Sequence, residues 1–289
     1  MKLINNIISK IDDFPTLPTV YTKLEEVTSD PRATASDVAN VISQDQASAT
    51  KVLKLVNSPV FGFKRTIGTI SQSVVMVGFD EIKKIVLTIS IIDAFKDIGN
   101  CKYLKPVDLW KYSIAMGLVS KIIAENLNNY KFKVETTEKV FLCGILHGIG
   151  KLLFMKMLPE LYDKVITYSY ENKVSTRETE IKIIGMHNST AGRLLSEKWN
   201  LPPEIKEVIK YYNVGDIEGE FDLNVGIVHV ASFVVDILEF GKSGEFKERF
   251  LNAKTFNKLD LPNDFFTKNL PRFVSEYKES ANLILNLGL

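Results

Sequence analysis

Three histidines, His147, His187 and His229, are the side chains of this chain best suited to metal chemistry. His147 stands where an apolar helical pattern runs into the glycine-rich break that begins at Gly148. In a hydrolytic metal centre, carboxylates hold the ion by offsetting its charge, and imidazoles add further ligands. Gly148, directly after His147, offers neither group. The local sequence therefore favours a hydrogen-bonded, partly buried histidine at a helix end.

The other two histidines and the nearby thiol have simpler interpretations. His187 precedes Asn188 and Ser189, which can cap a helix; a phosphate bound at the helix N-terminus is the alternative. His229 lies within an apolar run and is interpreted as a core or boundary histidine. Cys143 is expected to be buried, and burial raises the pKa of a thiol and suppresses its reactive thiolate.

An aromatic and basic segment near the end of an early helix is a candidate interaction loop. Phe61 and Phe63 could stack on bases while Lys64 and Arg65 contact phosphates, as in single-strand binding proteins. The same pattern also fits two phenylalanines that hold a loop on the core and two solvated cations, which is the favoured interpretation. Asn57 is expected to satisfy backbone groups at the helix end.

Around His147 the chain reads Leu146-His147-Gly148-Ile149-Gly150-Lys151. This segment resembles the HD superfamily of metal-dependent phosphohydrolases, whose signature is a His-Asp doublet in a Leu-His-Asp-Ile-Gly-Lys setting. In that superfamily a histidine on an earlier helix and an aspartate on a later helix complete the metal site. The matching positions here are Tyr112 and Ser232. The resemblance therefore implies a vestigial HD site at Tyr112, His147, Gly148 and Ser232, with no metal, no cofactor and no catalytic residue.

Further motifs are similar to the HDOD domain, the HD-related output domain, a bacterial module that usually lacks the metal ligands. The similarity covers roughly residues 14–212 and leaves residues 240–289 unmatched. Where the family often has a pair of histidines, this chain has Tyr211-Tyr212. The matching segments are Phe14-Pro15-Thr16-Leu17-Pro18, residues 51–62, Ile67-Gly68-Thr69-Ile70 with Val77-Gly78, residues 185–195 and Trp199-Asn200-Leu201-Pro202.

Apolar side chains recur at spacings of three and four, as in Val20, Leu24 and Val27, which predicts helices. We therefore expect helices to position the candidate site residues. Five of the ten prolines follow a leucine, which suits a first helical turn, where proline needs no N–H partner. The predicted helices span residues 3–11, 18–28, 35–43, 46–57, 72–77, 81–97, 107–127, 137–147, 150–157, 159–171, 176–186, 189–199, 203–212, 223–240, 245–252 and 271–287.

The predicted fold is all-α, with an N-terminal helical bundle packed on a degenerate HD-type helical core. We expect a helical sub-bundle over residues 1–98, the degenerate core over 99–240 and a helical extension over 241–289. Gly99, Asn100 and Pro106 mark the first of these boundaries.

Composition argues for a soluble cytoplasmic protein. A net charge of +1 calls for neither a polyanionic partner nor a membrane surface. Cys101 and Cys143 are too sparse for a disulfide framework, which favours a reducing compartment. The longest apolar stretch, residues 85–92, is far shorter than the roughly 20 residues that cross a bilayer. The N-terminus lacks the pattern of a signal peptide.

The resemblance implies a non-catalytic signalling or regulatory module that acts by protein or small-ligand binding, as in bacterial chemotaxis, motility or cyclic-dinucleotide pathways. We expect a signalling protein as partner, and a nucleotide-like ligand could occupy the remnant cleft. Two alternatives stay open: an atypical HD phosphohydrolase that uses His147, His187 and His229 on a nucleotide or cyclic dinucleotide, and a nucleic-acid-binding protein. The candidate cleft residues are His147, His187, Asn188, Ser189 and Tyr211.

Overall fold

The computed structural model describes residues 2–57, 63, 65–128, 130–247 and 250–285, with side chains omitted at residues 2, 130–136, 138 and 282–285. Over these residues the chain forms α-helices and no strand, which confirms the predicted all-α class. The helices are α1 (Lys2–Asp12), α2 (Thr19–Ser29), α3 (Ala35–Ser43), α4 (Gln46–Val56), α5 (Ile70–Val77), α6 (Phe79–Ala94), α7 (Pro106–Glu125), α8 (Tyr130–Leu146), α9 (Ile149–Met157), α10 (Pro159–Asn172), α11 (Thr176–Ile183), α12 (Asn188–Lys198), α13 (Pro203–Tyr211), α14 (Asp222–Ile237), α15 (Ala253–Lys258) and α16 (Phe265–Leu285).

The chain divides into two compact units. The first comprises Met1–Phe14 and Asp97–Tyr277, and the second comprises Pro15–Lys96 together with the C-terminal end from Lys278. The second unit contains α2 to α6. Its helix α3 begins with a capping box, in which Thr34 and Asp37 each bond the other's backbone N–H. In α6, the apolar run that includes Ile85, Ile89 and Ile92 is buried.

The first unit is built around α7 and α8, which lie in close contact. A Cβ atom added at Gly144 would come within 2.6 Å of the Met116 carbonyl oxygen, so the two backbones meet where a glycine stands. Helices α9 and α12 approach each other even more closely. A Cβ atom at Gly150 would lie 1.8 Å from the Asn188 carbonyl oxygen, which explains why glycine is required there.

The most apolar long segment of the described chain is part of this core. Lys139–Met157 has a mean hydropathy of 1.6 over its window and passes the length and composition test for a membrane span. Because 83% of that window is buried inside the protein, its apolar side chains contact other parts of the fold.

Three predicted helix positions were wrong. Residues 245–247 and 250–252 are not helical, because the Glu245 carboxylate accepts the backbone N–H groups of Phe246 and Lys247 and holds the chain in a local turn. The next helix, α15, starts only after Asn252, whose side chain caps it. Helix α16 starts at residue 265 and contains Pro271 within it, and α8 starts at residue 130 rather than 137.

Candidate functional site

His147 lies directly after α8 and is enclosed by aromatic rings. Its side chain is 2% exposed, and its Nδ1 atom lies 2.5 Å from the carbonyl oxygen of Gly144. A carbonyl only accepts, so Nδ1 carries the proton of this bond. The Tyr212 ring contacts the imidazole edge-on at 4.7 Å, and the Tyr112 ring is tilted against it at 5.6 Å. Two phenol rings therefore pack on this histidine.

The fold brings together the positions that the HD resemblance selects. The Tyr112 hydroxyl, on α7, donates to the carbonyl oxygen of Ser232, on α14, at 3.4 Å. The Ser232 hydroxyl in turn donates to the carbonyl oxygen of His229 at 2.7 Å. At Gly148 an added Cβ atom would meet nothing within 4 Å, so a larger side chain has room there.

These residues do not fit a divalent metal ion. Tyr112, Gly148 and Ser232 supply no carboxylate, and one imidazole nitrogen of His147 is already bonded to Gly144. Within the described ranges, no group of three or more His, Cys, Asp or Glu side chains is arranged to hold a metal. Any cation at this position would lack a compensating negative charge.

His229 links three parts of the first unit. Its Nδ1 atom donates to the carbonyl oxygen of Tyr212 at 2.9 Å, and its Nε2 atom accepts the N–H of Asn252 at 3.0 Å. These two partners define a neutral imidazole with the proton on Nδ1. The ring is 5% exposed, as the sequence predicted for a core histidine. Because both ring nitrogens are used, His229 is not available as a ligand.

The start of α12 is organised by a buried carboxylate and not by its own side chains. His187 occupies the N-cap position and makes no side-chain cap, and its Nδ1 atom lies 3.2 Å from the Arg177 carbonyl oxygen. Partial burial, and then the nearby Arg177 charge, lower the pKa of His187. Glu180 of α11 accepts the Asn188 N–H at 2.8 Å. The predicted capping by Asn188 and Ser189 side chains is therefore replaced by Glu180.

Glu180 is the centre of a polar cluster that the sequence did not reveal. It is fully buried and accepts hydrogen bonds from the Tyr162 hydroxyl at 3.2 Å and from the Asn188 side-chain amide at 3.0 and 2.8 Å. Burial raises the pKa of Glu180 to about 7, against the opposing effects of Lys151, Asn188 and Tyr162. Buried Lys151, the lysine of the HD-like motif, donates to the Ser243 carbonyl oxygen at 2.5 Å.

A cavity of about 260 Å³ opens next to this cluster. Asn188, Tyr212 and Ser232 are among its lining residues. The other predicted cleft residues, His147, His187, Ser189 and Tyr211, are not part of its described lining. The aromatic ring of Tyr211 instead lies 4.4 Å from the ammonium of Lys210. Of the four positions that the HD resemblance selects, Ser232 is part of the described lining of this cavity.

The candidate interaction loop belongs to the second unit. Asn57 holds the end of α4 against the chain ten residues later: its amide donates to the carbonyl oxygens of Leu53 and Ile67 at 2.8 and 2.9 Å, and its Oδ1 atom accepts the Ile67 N–H at 2.7 Å. Phe63 is half-buried and Arg65 is exposed. Phe61 and Lys64 lie outside the described residues.

The all-helical fold sets the structural class of the protein, and a comparison with known families gives its family. The sequence model of the HDOD domain matches residues 14–214. The chain belongs to the HDOD domain family.

Solved structures share the all-helical fold of this chain. An HDOD domain protein of unknown function from Geobacter sulfurreducens superposes with a TM-score of 0.80 at 22% identity and covers 98% of both chains. A Shewanella amazonensis protein described provisionally as a phosphohydrolase superposes with a TM-score of 0.73 at 19% identity. The superposition covers 96% of this chain and 97% of that one. A Marinobacter aquaeolei protein described provisionally as a signal transduction protein superposes with a TM-score of 0.75 at 16% identity. The superposition covers 98% of this chain and 65% of that one. At these identities the likeness shows the fold alone.

An uncharacterized protein of Treponema pallidum is 25% identical over 244 residues. The match covers 82% of this chain and 45% of that protein, so the chain spans less than half the length of this relative.

Proposed function

We propose that this protein is a non-catalytic regulatory module that acts by binding a signalling protein or a small ligand. The observation that supports the proposal is the state of the vestigial site. Its only imidazole is packed between Tyr112 and Tyr212, and the positions expected to carry metal-binding carboxylates hold Gly148 and Ser232. One imidazole with no second protein ligand is too few to hold a divalent ion, and an ion that is not held cannot activate water there.

Restoration of the missing ligands tests this proposal with a built-in control. The wild-type protein and the triple variant Tyr112→His, Gly148→Asp, Ser232→Asp are purified without chelator, and their metal content is measured by elemental analysis. Room around the Gly148 Cα atom means that the aspartate can be accommodated. We expect metal in the variant and only traces in the wild type. One or two tightly held transition metals in the wild type, lost together with phosphodiesterase activity on chelation, would refute the proposal.

The enzyme alternative has less support from the contacts of its proposed residues. An atypical phosphohydrolase would need His147, His187 and His229, but both nitrogens of His229 are bonded to backbone groups. This alternative requires that His147→Ala abolish turnover of a nucleotide or cyclic dinucleotide while the melting temperature stays nearly unchanged. We expect no turnover in either protein.

Nucleic-acid binding through the loop after α4 is the third possibility. The bonds from Asn57 to Leu53 and Ile67 are those of a residue that shapes the loop. If Arg65 and its neighbours contacted phosphates, affinity would fall steeply between low and moderate salt, because each contact releases counterions. We expect weak binding with a flat salt response.

A further inference from the structure

Glu180 of α11 is a fully buried carboxyl that is surrounded by hydrogen-bond donors. Asn188, at the start of α12, donates its backbone N–H at 2.8 Å and its side-chain amide at 3.0 and 2.8 Å. Tyr162 of α10 donates its hydroxyl at 3.2 Å. These bonds suit an ionised carboxylate, which only accepts, whereas a protonated carboxyl has an O–H group that itself needs an acceptor. The present arrangement therefore fits one of the two protonation states of Glu180.

The acceptor that the protonated state needs is present on Asn188. Its Oδ1 atom is buried and accepts no hydrogen bond from the described residues. Rotation of the amide about its last side-chain bond exchanges the donor end and the acceptor end, and this torsion is roughly two-fold. Oδ1 would then stand where Nδ2 now stands, within hydrogen-bond distance of both Glu180 oxygens. The charge on Glu180 thus decides which end of the amide faces the carboxyl.

Glu180 is the member of this cluster that exchanges a proton near neutrality. Burial raises its pKa to about 7, although Lys151 of α9, Asn188 and Tyr162 act in the opposite direction. Burial, and then the charge of Glu180, raise the pKa of Tyr162 well above its ordinary value. The tyrosine hydroxyl therefore stays protonated while Glu180 titrates.

Two other titratable groups near the carboxyl make hydrogen bonds elsewhere. The ammonium of Lys151 donates to the Ser243 carbonyl oxygen at 2.5 Å. His187, directly before α12, bonds the Arg177 carbonyl oxygen through Nδ1 at 3.2 Å. Neither side chain is hydrogen-bonded to Glu180 among the contacts of the described residues. A proton taken up by Glu180 must therefore be accommodated within its own set of partners.

We propose that Glu180 and Asn188 form a proton-operated switch, in which proton uptake by the carboxyl reverses the side-chain amide of Asn188. With Glu180 ionised, Nδ2 donates to the carboxylate, as in this structure. With Glu180 protonated, its O–H group donates to Oδ1. The Tyr162 hydroxyl is the poorer acceptor, because it is fully buried and its own hydrogen would lose the carboxylate. The proton comes from water and returns to water, and only the O–H bond of the carboxyl forms and breaks.

The switch acts on the way in which α11 holds the start of α12. In the ionised state, three hydrogen bonds join Asn188, the first residue of α12, to Glu180. The negative carboxylate also lies at a helix N-terminus, where the helix dipole favours an anion. Proton uptake removes this charge and replaces the amide bonds by one bond from the carboxyl O–H. The inference goes beyond the proposed regulatory role and does not depend on it, because it names a signal, pH near neutrality, and the residues that sense it.

Neutron diffraction from deuterated crystals of the full chain tests the proposal, because it locates the deuterons that X-rays do not show. Data are collected at about pH 5 and about pH 9, on either side of the pKa of Glu180. In solution, NMR follows the side-chain amide of Asn188 over the same range in protein labelled with ¹⁵N-asparagine. The variants are Glu180→Gln, which stays neutral, and the matched control Glu178→Gln, because Glu178 lies on the same helix and its side chain is 72% exposed.

At the higher pH we expect two deuterons on the Asn188 atom that faces Glu180. At the lower pH we expect one deuteron on a Glu180 oxygen and none on the Asn188 atom that faces it. The amide signals of the wild type and Glu178→Gln should shift between two limits with a midpoint near pH 7. Those of Glu180→Gln should stay near the low-pH limit at every pH.

The proposal is overturned if the same end of the Asn188 amide faces Glu180 at both pH values. That outcome includes a carboxyl that stays ionised and a carboxyl proton that is donated to Tyr162. An equal pH response of the amide signals in the wild type and Glu180→Gln also overturns it. The neutron data on the wild-type chain stay decisive even if Glu180→Gln does not fold.

Discussion

Glu180 should make the stability of the protein fall as pH rises through neutrality. The carboxyl is fully buried, and burial raises its pKa from the ordinary 4.5 to about 7. In the unfolded chain the group titrates near its ordinary value, so between these two pKa values the folded protein retains a proton that the unfolded chain has lost. Folding is then favoured at low pH, and the advantage disappears as pH rises through about 7.

The two pKa values set the size of the effect. A shift from 4.5 to about 7 corresponds to about 3 kcal/mol of unfolding free energy between acidic and alkaline limits. The variant Glu180→Gln keeps a neutral side chain of similar shape and removes the titration. The matched control is Glu178→Gln, because Glu178 lies on the same helix and its side chain is 72% exposed.

The assay is urea denaturation of the wild type and both variants between about pH 5 and about pH 8, compared as differences at each pH. We expect Glu180→Gln to gain about 2.5 kcal/mol relative to wild type over this range, and Glu178→Gln to follow the wild-type curve. If the wild type and Glu180→Gln show the same pH dependence, the buried carboxyl is not protonated near neutrality and the reasoning fails.

Three further substitutions are tested by the free energy of unfolding, two near the candidate site and one in the candidate interaction loop. Gly150→Ala should cost about 3 kcal/mol or more, because its Cβ atom would lie 1.8 Å from the Asn188 carbonyl oxygen, whereas Gly148→Ala should cost less than about 1 kcal/mol; equal costs would contradict the close approach of α9 and α12. His229→Phe should cost about 2–4 kcal/mol, because the Tyr212 carbonyl and the Asn252 N–H lose their partner. An unchanged free energy of unfolding in His229→Phe would mean that the imidazole does not stabilise the fold through these two bonds. Asn57→Ala should cost about 1–3 kcal/mol through lost bonds to Leu53 and Ile67, while a change at exposed Arg65 should cost almost nothing. If the change at Arg65 cost more than Asn57→Ala, Asn57 would not be the residue that shapes the loop.

The sequence allowed the helical class and most helix positions to be predicted, because local periodicity and proline positions report directly on helices. The α3 and α4 spans, for instance, agree with the prediction to within one residue. The helix predicted over residues 245–252 is absent at the described positions 245–247 and 250–252, although the alternating charges from Lys242 to Arg249 resemble a solvated helix face. In the structure, Glu245 also accepts the N–H of Thr176, a contact 69 positions away that no local pattern encodes.

The proximity of three candidate site residues could be predicted from the sequence, because they stand in recognisable motifs. Motif resemblance selected Tyr112, His147 and Ser232 from three distant segments, and the fold brings them into contact. It did not select Glu180, which lies in a polar stretch of α11 and is buried only because α9, α10 and α12 supply Lys151, Tyr162 and Asn188 around it. The sequence predicted a remnant cleft, but of the five candidate cleft residues only Asn188 is part of the described lining of this cavity.

The central claim is that His147 belongs to a packed remnant that holds no metal. Anomalous diffraction from crystals grown with manganese, zinc or iron tests it most directly, because it locates the ion itself. We expect no anomalous peak at bonding distance, about 2.1 Å, from the Nε2 atom of His147. An ordered metal at that position, with Tyr112 or Ser232 among its ligands, would contradict the account.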